Sequence, residues 1–116
     1  MVITLSKPVA LNQNSDFRRI YARGKSFPDK ALVTYVMKNH LGYNRFGITA
    51  GKKIGNSVQR NRSRRVIRAA LYSVINQIED GYDIIFVARG KTKYLKSQIV
   101  EKVMFEHLKT AGVIKQ

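Results

Sequence analysis

The chain has 116 residues, 44% of them hydrophobic, and no cysteine. That is enough apolar material for one packed domain and too little chain for two, and it leaves no disulfide frame or thiolate metal site. Its 22 Lys+Arg against 7 Asp+Glu give a formal net charge of +15, far beyond what solubility asks of a small domain, so a polyanionic partner, nucleic acid or an anionic membrane, is implied.

In chain order, residues 1–10 read as loosely held. The opening MVITLSKPVALNQ lacks the continuous apolar core of a signal peptide. No run of about 18 apolar residues occurs, so no spanning helix is predicted. With cysteine absent, the expectation is a cytoplasmic protein. Asn14–Arg23 reads as a short helix that Asn14 or Ser15 can cap and Gly24 can end, with Phe17, Ile20 and Tyr21 on one side. Ala31–Lys38 is β-branched and aromatic, a strand with Leu32, Thr34 and Val36 on one face and Val33, Tyr35 and Met37 on the other. NHLGYN supplies a turn. Arg45–Ala50 is a second strand, and the loop-like GKKIGNS follows it.

Val58–Ile78 is the longest helix candidate, its apolar stripe made of Ile67, Ala70, Leu71, Val74, Ile75 and Ile78, with Asp80 and Gly81 as its stop. Tyr82–Ala88 is a nearly continuous apolar run, as a central buried strand requires. Leu95–Thr110 is a final helix with Leu95, Ile99, Val103, Met104 and Leu108 inward, and the tail from Gly112 is expected to be loose. The order is α-β-β-α-β-α, with one more short strand near Ser26–Phe27. It predicts a single domain over residues 1–116, a two-layer α/β sandwich in which the strands flanking the long helix are parallel neighbours.

The charge is unevenly placed. No acidic residue occurs between Asp29 and Glu79, and Gly51 to Arg68 (GKKIGNSVQRNRSRRVIR) holds seven basic residues. With Asn56 or Ser57 as cap, Arg60, Arg62 and Arg64 fall in the first two helical turns, where the helix dipole disfavours cations by roughly 0.3–1 kcal/mol each when exposed. A solvated face mixes signs to form local pairs; one sign alone, at the unfavourable helix end, marks a binding surface. At about 100° per residue, Asn61, Arg65, Arg68 and Tyr72 form a stripe beside the apolar face, with Arg64 next to it. Arginine's planar fork holds phosphate through two hydrogen bonds, and Lys52 and Lys53 can add contacts from the loop.

Phe17 and Tyr21 are helical neighbours, and Tyr35 shares its strand face with Val33 and Met37. Aromatics on amphipathic elements ordinarily build core. Beside cations they can instead stack unpaired bases with little sequence preference. Catalytic signals are sparse. His40 reads as a turn residue, His107 as a surface residue and Asp83 as an ordinary strand-edge residue; Asp16, Asp29 and Asp83 make no paired-carboxylate motif. There is no P-loop and no zinc spacing.

The run Lys52-Lys53-Ile54-Gly55-Asn56-Ser57-Val58, continued by Arg60-Asn61-Arg62, Arg64-Arg65 and Arg68, resembles the signature "RNR" motif of the ribonuclease P protein family. Arg45 and Gly47 in RFGIT, Leu11, Phe17, Tyr21 and Gly24 near the start, and the strand ending at Ala88-Arg89 also match the family's pattern. The resemblance spans about residues 5–110; Ser57, where the family usually has Ala, is a conservative departure.

The resemblance implies that Lys52, Lys53, Arg60, Asn61, Arg62, Arg64, Arg65 and Arg68 bind the catalytic RNA subunit. It implies that Phe17, Tyr21 and Tyr35 line a cleft for the single-stranded 5′ leader of precursor tRNA. It further implies a left-handed crossover through the long helix, against the usual hand. Catalysis would belong to the RNA, with magnesium bound mainly through it. Hydrolysis would leave a 5′-phosphate on mature tRNA, and the protein would be a monomer in a 1:1 ribonucleoprotein, without a membrane partner. The chief alternative is a ribosomal or other structural RNA-binding protein, which composition and fold class suit equally. A protein-only nuclease lacks its acidic or histidine cluster here, and the Gly- and Asn-rich basic loop is unlike an amphipathic lipid anchor.

Overall fold

In the computed structural model, which describes residues 8–116, β5 (Tyr82–Ala88) lies at the centre of a five-stranded mixed sheet. β4 (Arg45–Thr49) runs parallel to it on one side, with Gly47 opposite Ile85; β3 (Leu32–Lys38) runs antiparallel on the other, with Tyr35 opposite Ile85. β1 (Val9–Ala10) joins β4 in parallel and β2 (Lys25–Phe27) joins β3 antiparallel, giving the order β1-β4-β5-β3-β2. The central place of β5 explains its apolar run, since Asp83 to Phe86 are all buried. The expected parallel pairing of the strands flanking the long helix is present.

The main core lies between one sheet face and helices α2 (Ser57–Val74) and α3 (Ser97–Thr110). Leu32, Ile84 and Phe86 meet Ile67, Ala70, Leu71 and Val74 from α2 and Val100, Met104 and Leu108 from α3. Each fully buried aliphatic side chain of this kind contributes about 1.5–3 kcal/mol. Helix α1 (Asn14–Arg23) crosses the opposite face, where Leu11, Ile20 and Ile85 make a smaller cluster with Phe17, Tyr35, Met37 and Val87. The alternation foreseen along β3 thus divides two cores: Leu32, Thr34 and Val36 face α2 and α3, and Tyr35 and Met37 face α1.

Several local expectations are corrected. Asn14 and Ser15 lie inside α1; Gln13 is its N-cap and makes no side-chain bond. The start of the helix follows instead from burial of Leu11 and its N–H bond to the Phe46 carbonyl at 2.8 Å. Of the N-terminal ten residues expected to be loose, Val9 and Ala10 are paired in the sheet, and residues 1–7 lie outside those described. The α-helical part of the long helix ends at Val74 and continues as a 3-10 turn, Ile75–Gln77. In α3 the buried line is Val100, Met104 and Leu108; Ile99 is exposed, because the two stripes one residue apart are both apolar and only the sheet decides between them.

The tail from Gly112 is held rather than loose. Val113 is buried, its carbonyl accepts from Glu79 N–H at 2.7 Å, and Lys115 N–H donates to the Gln77 carbonyl at 2.7 Å. Burial of Val113, packing of Ile114 against the same core and the two backbone hydrogen bonds act together against the entropy of ordering these residues.

His107 is half-buried, not a surface residue. Its Nδ1 lies 2.8 Å from the hydroxyl of Thr34, which is wholly buried. Burial holds the His107 pKa below the usual histidine value, against the opposing pull of the Asp29 charge. A histidine depressed in this way binds fewer protons folded than unfolded, so its stabilisation is present above about pH 6.5 and is lost as pH falls toward the folded pKa. We expect the urea midpoint to fall between pH 7.5 and 5.5, and His107→Gln to flatten that decline. A decline of equal size in the variant would show that other groups cause it.

Candidate nucleic-acid interface

The basic run folds into two pieces. Lys52–Ile54 form a 3-10 turn whose backbone is pinned by Ile54 N–H to Gly51 O at 3.0 Å, with Ile54 buried and Lys52 and Lys53 exposed. Gly55 has φ 143°, and a Cβ there would sit 1.9 Å from Gln59 Oε1, so only glycine lets the chain turn into α2. Asn56 caps the helix: its Oδ1 accepts from Gln59 N–H at 2.9 Å, and Gln59 Oε1 accepts from Asn56 N–H at 3.0 Å, a reciprocal capping box. This neutral cap leaves the first turn without an acidic residue.

The predicted stripe is present on the surface of α2. Asn61, Arg65 and Arg68 are exposed, Arg64 is half-buried, and with Val58 they line a shallow depression of about 460 Å³. Arg64 Nη1 donates to Asn61 Oδ1 at 2.7 Å, which draws both toward one point. Arg60 is half-buried; its Nη2 donates to Ser57 Oγ at 3.3 Å, and its Nε is buried without a partner among the described residues. Arg62 turns away from the stripe, donating from Nε to the Lys93 carbonyl at 2.7 Å, while Lys93 Nζ donates to the Ile54 carbonyl. Among the described residues no α2 arginine forms a salt bridge; every carboxylate pair involves Arg19 or Arg45. Lys93 comes from 31 residues beyond Arg62, so no local spacing could have singled it out.

The opposite face carries the three aromatics together. The Tyr21 ring meets Tyr35 edge-on at 4.9 Å between centroids and lies 6.2 Å from Phe17. Phe17 and Tyr35 are half-buried against Leu11, Ile20 and Ile85, while Tyr21 is 40% exposed with its hydroxyl 3.5 Å from Thr49 Oγ1. The two readings of these residues therefore combine: two rings floor a small core, and the third presents an open face. Gly47 lies beneath Phe17, and a Cβ there would come within 2.8 Å of the ring. Thr49 ends β4 three residues before Lys52, so one strand leads from the aromatic face to the cationic turn.

What holds α1 over the sheet is a buried ionic cluster. Asp83, with its side chain only 1% exposed, takes Arg45 in a bidentate pair (Nε to Oδ1 2.8 Å, Nη2 to Oδ2 2.7 Å). It also accepts from Asn39 Nδ2 at 2.9 Å and from Arg19 Nη2 at 3.2 Å, and Arg19 Nη1 reaches Asp16 at 2.8 Å. Asp83 is thus a central anchor, not a strand-edge residue. A visible signal existed: a carboxylate inside a doubly buried strand must be paired. Burial alone would raise its pKa, but the hydrogen bonds from Arg45 and Asn39 and the charges of Arg45 and Arg19 outweigh it and hold the carboxyl below its ordinary range. His40, exposed with φ 60°, sits in the expected turn.

These acids do not suit a divalent cation. Asp16 and Asp83 converge, but Arg19 and Arg45 occupy their oxygens, and no group of three His, Asp or Glu side chains gathers elsewhere among the described residues. Among these residues no helix is long and apolar enough to cross a membrane.

Comparison with known proteins agrees along nearly the full length. The family model described as Ribonuclease P matches residues 5–112. The ribonuclease P protein component of Clostridioides difficile (strain 630) is 43% identical over 93 residues, covering 79% of this chain and 82% of that protein. The solved structure of the Staphylococcus aureus RNase P protein superposes with a TM-score of 0.80 at 33% identity, covering 94% of this chain and all of that one. The RNase P protein from Thermotoga maritima gives 0.77 at 28% identity, covering 87% of this chain and 96% of that one.

Proposed function

Because the chain belongs to the ribonuclease P protein family and is thereby a protein component of that endoribonuclease, we propose that it binds the ribonuclease P RNA through the surface of α2 and the leader of precursor tRNA through the aromatic face beneath α1. The observation that carries this reading is the cationic surface itself. Lys52 and Lys53 are exposed on the turn that enters α2, and Arg64, Arg65 and Arg68 line one depression along the helix; among the described residues no carboxylate is paired to any of them. Cations of one sign concentrated along a surface repel one another and cost stability unless an anion arrives from outside. Arg60, Asn61 and Arg62 belong to the same surface in a different role: they brace it, through Ser57, Arg64 and the Lys93 carbonyl.

The leader would lie across Tyr21, whose exposed ring can stack an unpaired base for about 1–3 kcal/mol whatever the base. The protein contributes grip and alignment; the hydrolytic step and its magnesium are assigned to the RNA, in keeping with the arginine-occupied acids. The complex is taken as one protein with one RNA, in the cytoplasm.

Reconstitution with a bacterial ribonuclease P RNA at low magnesium tests the reading: added protein is expected to restore precursor tRNA cleavage, and no rescue at any protein concentration would refute it. For the leader face, Tyr21→Ala is the cleaner variant, because Tyr35 also supports the core. It should weaken precursor tRNA binding about 5- to 150-fold and leave mature tRNA unchanged, whereas equal losses for both would remove the leader from the proposal. Tyr35→Ala should act in the same direction, with a stability loss added.

A further inference from the structure

At the sheet edge a second concavity adjoins the cationic stripe. A pocket of about 310 Å³ opens between β1, β4 and α2, lined by Val9, Phe46 and Leu71, by Phe17 where it borders the aromatic face, and by Arg68 and Tyr72. Arg68 lines both this pocket and the cationic depression, so the two adjoin at its side chain. Tyr72 is 53% exposed and has no hydrogen bond or ring partner among the described residues, and Val9 beside it is 45% exposed. Neither exposure follows from packing the core: Tyr72 follows the buried Leu71 on the helix and points outward over the pocket mouth.

Building on the RNA-binding reading above, we propose that this pocket receives one unpaired nucleotide of the ribonuclease P RNA, its base against Tyr72 and the apolar wall and its phosphate on Arg68. The chemistry favours a nucleotide over a peptide or a lipid chain. The pocket is small, about 310 Å³, it adjoins a run of guanidinium groups spaced along one helix face, and Arg68 is the one cation among its described lining residues. An aromatic ring with an arginine beside it is the arrangement that holds a splayed base and the phosphate attached to it. The stripe thereby gains a contact that does not depend on counterion release.

That property separates the pocket from the stripe. With the RNA subunit alone as probe, Tyr72→Ala is expected to weaken binding about 5- to 150-fold with the slope of log affinity against log salt unchanged. Tyr72→Phe should bind like the native protein. Arg68→Ala should both weaken binding and reduce the slope by about one. Because Tyr72 is exposed, the thermal midpoint of Tyr72→Ala should match the native value. Native affinity in Tyr72→Ala would overturn the pocket while leaving the stripe intact if Arg65→Ala still weakens binding. If neither variant changes affinity, the RNA-binding reading itself fails. A loss confined to precursor tRNA, with RNA-subunit affinity unchanged, would also overturn the assignment.

Discussion

Arg65→Ala combined with Arg68→Ala is expected to lower affinity for the ribonuclease P RNA by about two to four orders of magnitude. Each removes a charge-assisted contact worth roughly 1.5–3 kcal/mol. Both side chains are exposed on the stripe and neither is held by a hydrogen bond among the described residues, so their donors are directed outward. The same substitution should reduce the salt slope by about two, since each lost phosphate contact retains its counterions. Folding stability should hardly move, because exposed residues without partners rarely contribute more than about 0.5 kcal/mol. Arg62 makes a poorer target for this experiment. Its bond to the Lys93 carbonyl ties it to the 3-10 turn before α3, so its loss mixes local structure with binding. Binding titrations across a salt series decide the matter: an unchanged slope in the double variant would place the phosphates elsewhere.

Asp83→Ala is expected to destabilise the protein by about 3–5 kcal/mol, a large part of the 5–15 kcal/mol typical of a whole domain. The carboxylate is wholly buried, and its removal leaves Arg45 and Arg19 to share Asp16, 3.7 and 2.8 Å away, as their one remaining carboxylate among the described residues. The Asn39 side chain, which also bonds the Tyr43 carbonyl and so shapes the turn before β4, loses one of its two acceptors. The expected readout is a drop in thermal midpoint of more than about 10 °C. The native protein should show the matching pH dependence. With the folded pKa depressed, this stabilisation is present above the unfolded value of about 3.9 and disappears as pH falls through the lower folded pKa. Acid unfolding with the same profile in Asp83→Asn as in the native protein would show that the cluster carries little of it.

The loss should extend to function, because the cluster joins α1 to β4 and β5. Asp16 and Arg19 flank Phe17 on α1, so the contacts that neutralise Asp83 also set the helix over the sheet and bring Tyr21 against Tyr35. A buried ion pair of this kind is a costly way to gain stability and a good way to specify a single docking of one element on another.

The amino-acid sequence by itself determined the elements whose signals are local. Asn14–Arg23 matches the expected helix, β3 and β4 fall within one residue of the expected strands, and the central β5 is legible because a strand covered on both faces must be apolar throughout. The exposed stripe of Asn61, Arg65 and Arg68 was equally legible, since sign and helical spacing are properties of adjacent residues. Only the tertiary structure decided which of two apolar stripes on α3 turned inward, that the tail would be captured by the core, and that Asp83 would gather Arg19 from α1, Asn39 from the turn after β3 and Arg45 from β4. It likewise set Tyr72 and Val9 around one pocket. The reason is common to all four: charge pairing and close packing act through space at a few ångströms, between residues that chain order leaves tens of positions apart, and no periodicity records such a meeting in advance.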